Sequence, residues 1–259
     1  MRIPIFQVDA FATRVFTGNP AAVCPLDTWL PDDTLQAIAA ENNLSETAFF
    51  VGRAGTYAIR WFTPGSEVDL CGHATLASAF VVFRHLEPTL DAVRFSSQSG
   101  TLTVTREGDL LVLDFPSRPP TRLDGLPGLA EALRTEPAEV WKARDVMAVL
   151  AAEDDVRSLR PDIAALDALG QFAFIVTALG READFVSRFF APDVGIAEDP
   201  VTGSAHCTLV PYWSRRLGKT RLRALQVSAR GGELSCEDRG ERVRIGGRAV
   251  GYLEGTIEV

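Results

Sequence analysis

Three things are scarce in this 259-residue chain, and each shortage removes a class of function. Basic residues are outnumbered: 26 Lys and Arg stand against 34 Asp and Glu, a net charge of −8. With no cationic surplus to displace counterions, neither nucleic acid nor an acidic membrane surface is an expected partner. A small anion can still be held locally, because backbone N–H groups do not depend on net charge. Histidine and paired cysteine are the second shortage. His73, His85 and His206 have no ligand spacing, and the four cysteines (Cys24, Cys71, Cys207 and Cys236) form no CxxC pair, so no metal is expected. The third is long apolar runs. None approaches the roughly 18 to 20 residues of a membrane helix, and Pro4, Gln7 and Asp9 interrupt the N-terminal "MRIPIFQVDAFA" as a signal-peptide core. The chain therefore reads as soluble and cytoplasmic, with its cysteines as free thiols. No GxGxxG or GxxxxGK[ST] loop and no nucleophile elbow is present.

What is present is a repeat. "ETAFFV" (46–51), "YAIRWFTP" (57–64) and "EVDLCGHATLASAF" (67–80) can be laid beside "QFAFIV" (171–176), "DFVSRFFAP" (184–192) and "AEDPVTGSAHCTLV" (197–210). Each copy reads as strand, turn, strand ending in Phe-x-Pro, polar loop, Gly and small-residue helix. Cys71-Gly72-His73 falls opposite Thr202-Gly203-Ser204, and Glu46 falls opposite Gln171. Two copies are too few for a solenoid, so the pattern predicts two similar lobes. One is expected over 1–117, joined by the last strand at about 250–259, and the other over 118–249, with "FPSRPPTR" as the linker. The segments 92–116 and the C-terminal "RALQVSAR", "GELSCE" and "ERVRIGG" alternate between Gly turns, which predicts antiparallel strands. "PDDTLQAIAAENN" (31–43) predicts a surface helix. "GHATLASAFVVFRHL" (72–86) is apolar nearly all round and predicts a helix buried inside a curled sheet. The helix from Gly203 is similar, with a bend expected at Pro211. The fold class is α+β: two pseudo-symmetric lobes, each a mostly antiparallel rolled sheet around a central helix.

Chemistry can enter at the helix starts. Unpaired N–H groups and the positive end of the dipole at Gly72 and Gly203 suit a substrate carboxylate, although a glycine there is also a simple cap. Glu46 precedes an apolar strand beside Phe49 and Phe50, a setting that raises a carboxyl pKa towards neutrality; a solvated surface residue is the plainer alternative. Asp199 before Pro200 reads as a turn, and Ser204 reads as a helix cap or a ligand for an oxygen. Cys71 reads as a thiol with chemistry or as a small buried residue.

Four stretches carry a resemblance: "FTGNPAAVC" (16–24), "NNLSETAFF" (42–50), "TPGSEVDLCGHATLASA" (63–79) and "EDPVTGSAHC" (198–207). Together they resemble the phenazine-biosynthesis isomerase family, the PhzF-like proteins. The resemblance implies a diaminopimelate-epimerase-like fold with the site between the lobes, no cofactor or metal, and a homodimer. It also implies a cofactor-independent isomerase that moves a proton between carbons of a small anionic, carboxylate-bearing metabolite. Glu46 takes the place of the catalytic carboxylate, and His73, Asp199 and Ser204 match the other catalytic positions. Asn19, Ser45, Cys71, Gly72, Ala74, Thr202 and Gly203 fall at substrate-binding positions. Related racemases on this fold use two thiols; here the pair is Cys71 and Thr202, and a hydroxyl is a far weaker acid than a thiol. The alternatives are a racemase, epimerase or dehydratase of amino or hydroxy acids using Cys71, and a PhzF-like protein that binds a small ligand without turning it over.

Overall fold

The computed structural model describes residues 1–259. The chain divides into two compact units: Met1–Asp114 with Gly246–Val259, and Phe115–Ile245. The fold is α+β and dominated by strands.

The first unit runs β1 (Arg2–Ala10), β2 (Asn19–Leu26), α1 (Asp32–Asn42), β3 (Glu46–Arg53), β4 (Thr56–Phe62), β5 (Glu67–Val68), α2 (Gly72–Val81), β6 (Ala92–Ser97), β7 (Gly100–Glu107) and β8 (Leu110–Pro116). β2 lies antiparallel to β1 and parallel to β3, with α1 as the crossover that a parallel pair requires. β3 pairs antiparallel with β4, which pairs antiparallel with β5 and parallel with β6; β6 turns back into β7.

The second unit holds β9 (Thr121–Leu123), α3 (Leu129–Leu133), β10 (Glu139–Lys142), β11 (Val146–Val149), α4 (Glu153–Ser158), α5 (Ile163–Asp167), β12 (Phe174–Leu179), β13 (Phe185–Ala191), β14 (Ile196–Asp199), α6 (Gly203–Leu217), β15 (Arg221–Gln226), β16 (Gly232–Asp238) and β17 (Arg242–Gly247). The last strand, β18 (Ala249–Glu258), returns to pair with β1. The pairing pattern repeats that of the first unit. β11 is antiparallel to β10 and parallel to β12; β13 is antiparallel to β12 and β14 and parallel to β15; β15 turns into β16. The sequence repeat is thus a repeat of strand pairing.

Two departures have simple causes. The Pro-rich "FPSRPPTR" is not only a connector, since Thr121–Leu123 pairs with β10. The helices α4 and α5 are six and five residues long, too short to show a helical period.

Each sheet is covered on both faces. Phe49 and Phe62 meet Leu35 and Ile38 of α1 on one face. On the other, Phe50 clusters with Tyr57 and Phe95, and α2 lies against β1, β2 and β3. In the second unit Val186 and Phe190 join the layer under α3, α4 and α5, while Phe185 stacks on Trp213 of α6. Burying a helix all round leaves its hydroxyls to be satisfied internally. Thr75 and Ser78 donate to the carbonyls of Cys71 and Ala74, four residues back, at 2.5 and 2.8 Å.

α6 runs unbroken through Pro211. A proline there removes the donor for the carbonyl of Cys207 and costs about 3 kcal/mol in a straight helix. The Arg118 backbone N–H replaces that donor, at 2.9 Å from the Cys207 oxygen, so the orphaned acceptor is satisfied from outside the helix.

Candidate active site

In the first unit, the β2–β3 ladder aims two polar side chains the same way. Glu46 opens β3 opposite Ala21 of β2, and Asn19 lies two residues before Ala21, hence on the same face. His73, the second residue of α2, meets both. Its Nε2 is 3.1 Å from Glu46 Oε2, and its Nδ1 is 3.2 Å from Asn19 Nδ2 and 3.5 Å from Cys71 Sγ. The His73 ring is buried and the Glu46 side chain is 12% exposed. Neither Glu46 Oε2 nor His73 Nε2 has an aligned hydrogen bond, despite the short approach. An amide such as that of Asn19 can serve either protonation state of the ring, with its N–H towards a bare Nδ1 or its carbonyl towards an Nδ1–H.

The electrostatics separate the three groups. Burial disfavours charge on His73, but the side chains of Cys71, to the extent that it ionises, and of Glu46 outweigh it and raise the imidazole well above its ordinary range. Burial, then the Glu46 carboxylate, pushes the Cys71 thiol up. Cys71 is therefore held as a thiol beside a carboxylate–imidazole pair. Ligand atoms of Glu46, Cys71 and His73 lie within 4.8 Å of one another, a convergence that sequence spacing conceals. Cys71 and Glu46 address opposite nitrogens of the ring, an arrangement suited to proton movement across it. Of the other residues expected here, Ser45 is half-buried on the bend entering β3, Gly72 is half-buried at the first position of α2, and Ala74 is fully buried behind it.

Asn19 is placed by a turn that only glycine fits. Gly18 has φ +69°, and a Cβ there would lie 2.2 Å from the Ala10 carbonyl oxygen. Gly18→Ala is expected to cost about 1–3 kcal/mol and to shift Asn19 off His73. A lowered urea midpoint, with a changed His73 imidazole NMR signal, is the expected result; an unchanged midpoint and signal would show that the turn yields freely.

In the second unit, Asp199 ends β14 and accepts a short hydrogen bond from the Thr202 hydroxyl. Thr202 is the extended residue before α6, as Cys71 is before α2. The Thr202 N–H donates to Gln226 Oε1 at 2.8 Å, and Gln226 Nε2 donates to the Asp199 carbonyl (2.8 Å) and to Thr202 Oγ1 (3.2 Å). Asp199 is thus more than a turn residue. Ser204 lies inside the helix rather than at its cap; its Oγ accepts from Arg144 at 3.3 Å, and Arg144 is itself forked onto buried Asp145 at 2.7 and 3.0 Å. Gly203 starts the helix and is buried.

Gln226, Arg144 and Asp145 join this network without belonging to any of the motifs. Gln226 carried a signal: it continues the buried phase of Leu222 and Ala224 in β15, where a polar side chain needs partners. The adjacent Arg144-Asp145 pair offered no pattern.

His206 is wholly buried, and its Nδ1–H donates to the Thr202 carbonyl at 2.8 Å. Burial lowers its pKa from 6.5 to about 4, against the smaller effect of that hydrogen bond. The unfolded chain therefore binds the proton first. This group's contribution is complete above pH 6.5 and is lost as pH falls through 4, worth about 3 kcal/mol at most. His206→Leu is expected to flatten the fall in urea-measured stability between pH 6.5 and 4; parallel curves for the two proteins would refute the assignment.

No helix is long and apolar enough to cross a membrane. The family model for phenazine biosynthesis-like proteins matches residues 8–255. An uncharacterised isomerase of Pseudomonas aeruginosa is 56% identical over 259 residues, with all of both chains covered. The human phenazine biosynthesis-like domain-containing protein is 41% identical, with 99% of each covered. Among solved structures, a phenazine biosynthesis protein of the PhzF family from Enterococcus faecalis superposes with a TM-score of 0.98 at 50% identity over the whole of both chains. A hydroxyproline epimerase from Agrobacterium vitis, 11% identical with a TM-score of 0.62 over 99% of this chain and 92% of its own, shares the fold. The chain belongs to the phenazine biosynthesis-like, PhzF family, whose fold is also that of proline racemases and epimerases.

Proposed function

We propose that this protein is a cofactor-independent isomerase that moves a proton between carbons of a small carboxylate-bearing metabolite, with Glu46 as the general acid/base. The observation that carries the reading is the facing pair of Glu46 Oε2 and His73 Nε2, 3.1 Å apart, nearly buried and lacking aligned partners. A carbon acid needs a base placed beside its C–H and a donor near the charge that develops on the substrate. Glu46 supplies the base. His73, with its proton favoured by Glu46, supplies a donor, and Asn19 steadies the ring. Cys71, Gly72 and Ala74 shape the entrance of α2, and Ser45 that of β3. In the second unit Asp199 holds Thr202, which leaves Ser204 and the first-turn amides from Gly203 onward to receive a ligand oxygen.

A two-base racemase is less well supported. Its second acid would fall at Thr202, whose proton is already directed at Asp199. The test is solvent exchange: metabolites with a C–H next to a carboxylate or an enolisable carbon are incubated with the protein in heavy water, and carbon-bound deuterium is read by NMR. Uptake into one compound, lost in Glu46→Gln, is expected. Uptake that survives in Glu46→Gln but not in Cys71→Ala would transfer the role to the thiol.

A further inference from the structure

Beyond α2, at the far end of the first unit's central helix, lies a recess that contains none of Glu46, Cys71 and His73. Its volume is about 430 Å³, within the roughly 300–1,000 Å³ of small-molecule sites. Arg84 is eleven residues on from His73, about 16 Å along the helix. The floor is apolar: Phe80 and Phe83 from the helix and Leu111 from β8. Three guanidinium groups stand around it: Arg84, Arg106 of β7, and Arg248 just before β18.

The helix itself is distorted here. Residues 82–86 form a π turn, and the Glu87 N–H reaches back five residues to the Val82 carbonyl at 2.7 Å. Such turns are rare and recur at functional sites, because the extra residue re-aims the side chains around it. In this chain it delivers Phe83 and Arg84 to the recess. Arg106 lies over the Phe83 ring, 5.3 Å from guanidinium carbon to centroid, and is partly neutralised by Asp91 at 3.3 Å. Arg84 and Arg248 are exposed, and no carboxylate lies within ion-pair distance of either. Asp109 is the one acidic residue in the wall.

Three guanidinium groups against two carboxylates, Asp109 in the wall and Asp91 on Arg106, leave a local excess of one positive charge in a chain whose net charge is −8. The two guanidinium groups outside any ion pair, Arg84 and Arg248, suit a phosphate monoester, whose several oxygens accept from planar Arg forks. The aromatic floor matches a flat apolar body joined to it. We propose that this recess binds an organic phosphate monoester carrying a flat apolar group, at a site separate from Glu46 and His73.

The probe is 1-naphthyl phosphate, titrated calorimetrically into the full chain at low salt, with inorganic phosphate, 1-naphthol and 1-naphthoate as comparators. One site with a Kd below about 1 mM is expected. Binding should weaken about tenfold or more in the Arg84→Gln/Arg248→Gln double variant, and each comparator should bind more weakly than the ester. Both substitutions are on the surface, so the variant is expected to melt with the wild type. Affinity unchanged in Glu46→Gln would place the probe away from the first site. No binding up to about 5 mM, equal affinity in the double variant, equal affinity for 1-naphthoate, or loss of binding in Glu46→Gln would each overturn the proposal.

Discussion

Replacing Glu46 with glutamine is expected to abolish carbon-bound deuterium uptake, by about 10²–10⁴-fold, with little change in thermal stability. The variant keeps the shape of the side chain and leaves an amide beside His73, so packing is preserved. What disappears is the ability to take a proton and return it. The buried His73 ring facing Glu46 can shed its proton once the carboxylate is gone, so a glutamine there leaves no buried charge unpaired. The control is Cys71→Ala. The thiol is pushed up by burial and by Glu46, and removing it deletes one 3.5 Å contact to His73. A sulfur contact of about 1 kcal/mol limits the expected loss to roughly tenfold. Equal exchange by wild type and Glu46→Gln would remove Glu46 as the base, whatever Cys71 does.

Most of the fold was legible because the two copies carry the same local signals. Phe-x-Pro strand ends, a Gly after a polar loop and a small-residue helix recur in order, and those signals correspond to identical strand pairings around α2 and α6. The short helices α4 and α5 were illegible, as they lack the length to show a period, and β9 was hidden within prolines. In the site, Glu46, His73 and Asn19 stood out through motif positions, but no spacing could show that the side chains of residues 19, 46, 71 and 73 come together. That follows from the parallel register of β2 on β3, which is a long-range property. Gln226 was readable in principle, as a polar residue in the buried phase of a strand. Pro211 shows the reverse case: its local cost is plain in the sequence, while the remedy, the Arg118 N–H, comes from a distant part of the chain and is visible only in the fold.

Replacing Arg188 with methionine is expected to destabilise the second unit by about 3–5 kcal/mol, the cost of breaking a buried ion pair from one side. Arg188 lies in the middle of β13 with its side chain only 9% exposed. Its Nε and Nη2 fork onto Glu198 at 2.6 and 2.8 Å, and its Nη1 donates to the carbonyls of Leu159 (2.8 Å) and Val156 (3.2 Å). One guanidinium therefore ties β13 to the carboxylate just before Asp199 and to the carbonyls at the end of α4. Methionine fills similar volume but strands Glu198 and two backbone acceptors. Heating should show a transition lowered by roughly 6–20 °C. Glu198→Gln is expected to cost less, because Arg188 keeps both carbonyls and a neutral amide oxygen, and because Glu198 is 25% exposed to solvent. The double variant Arg188→Met/Glu198→Leu should recover part of the loss, since neither charge is then left unpaired. A melting curve for Arg188→Met that overlays the wild type would mean that the fork adds nothing beyond the methylenes of the side chain. A loss equal in Glu198→Gln would place the whole effect in the ion pair and none in the α4 carbonyls.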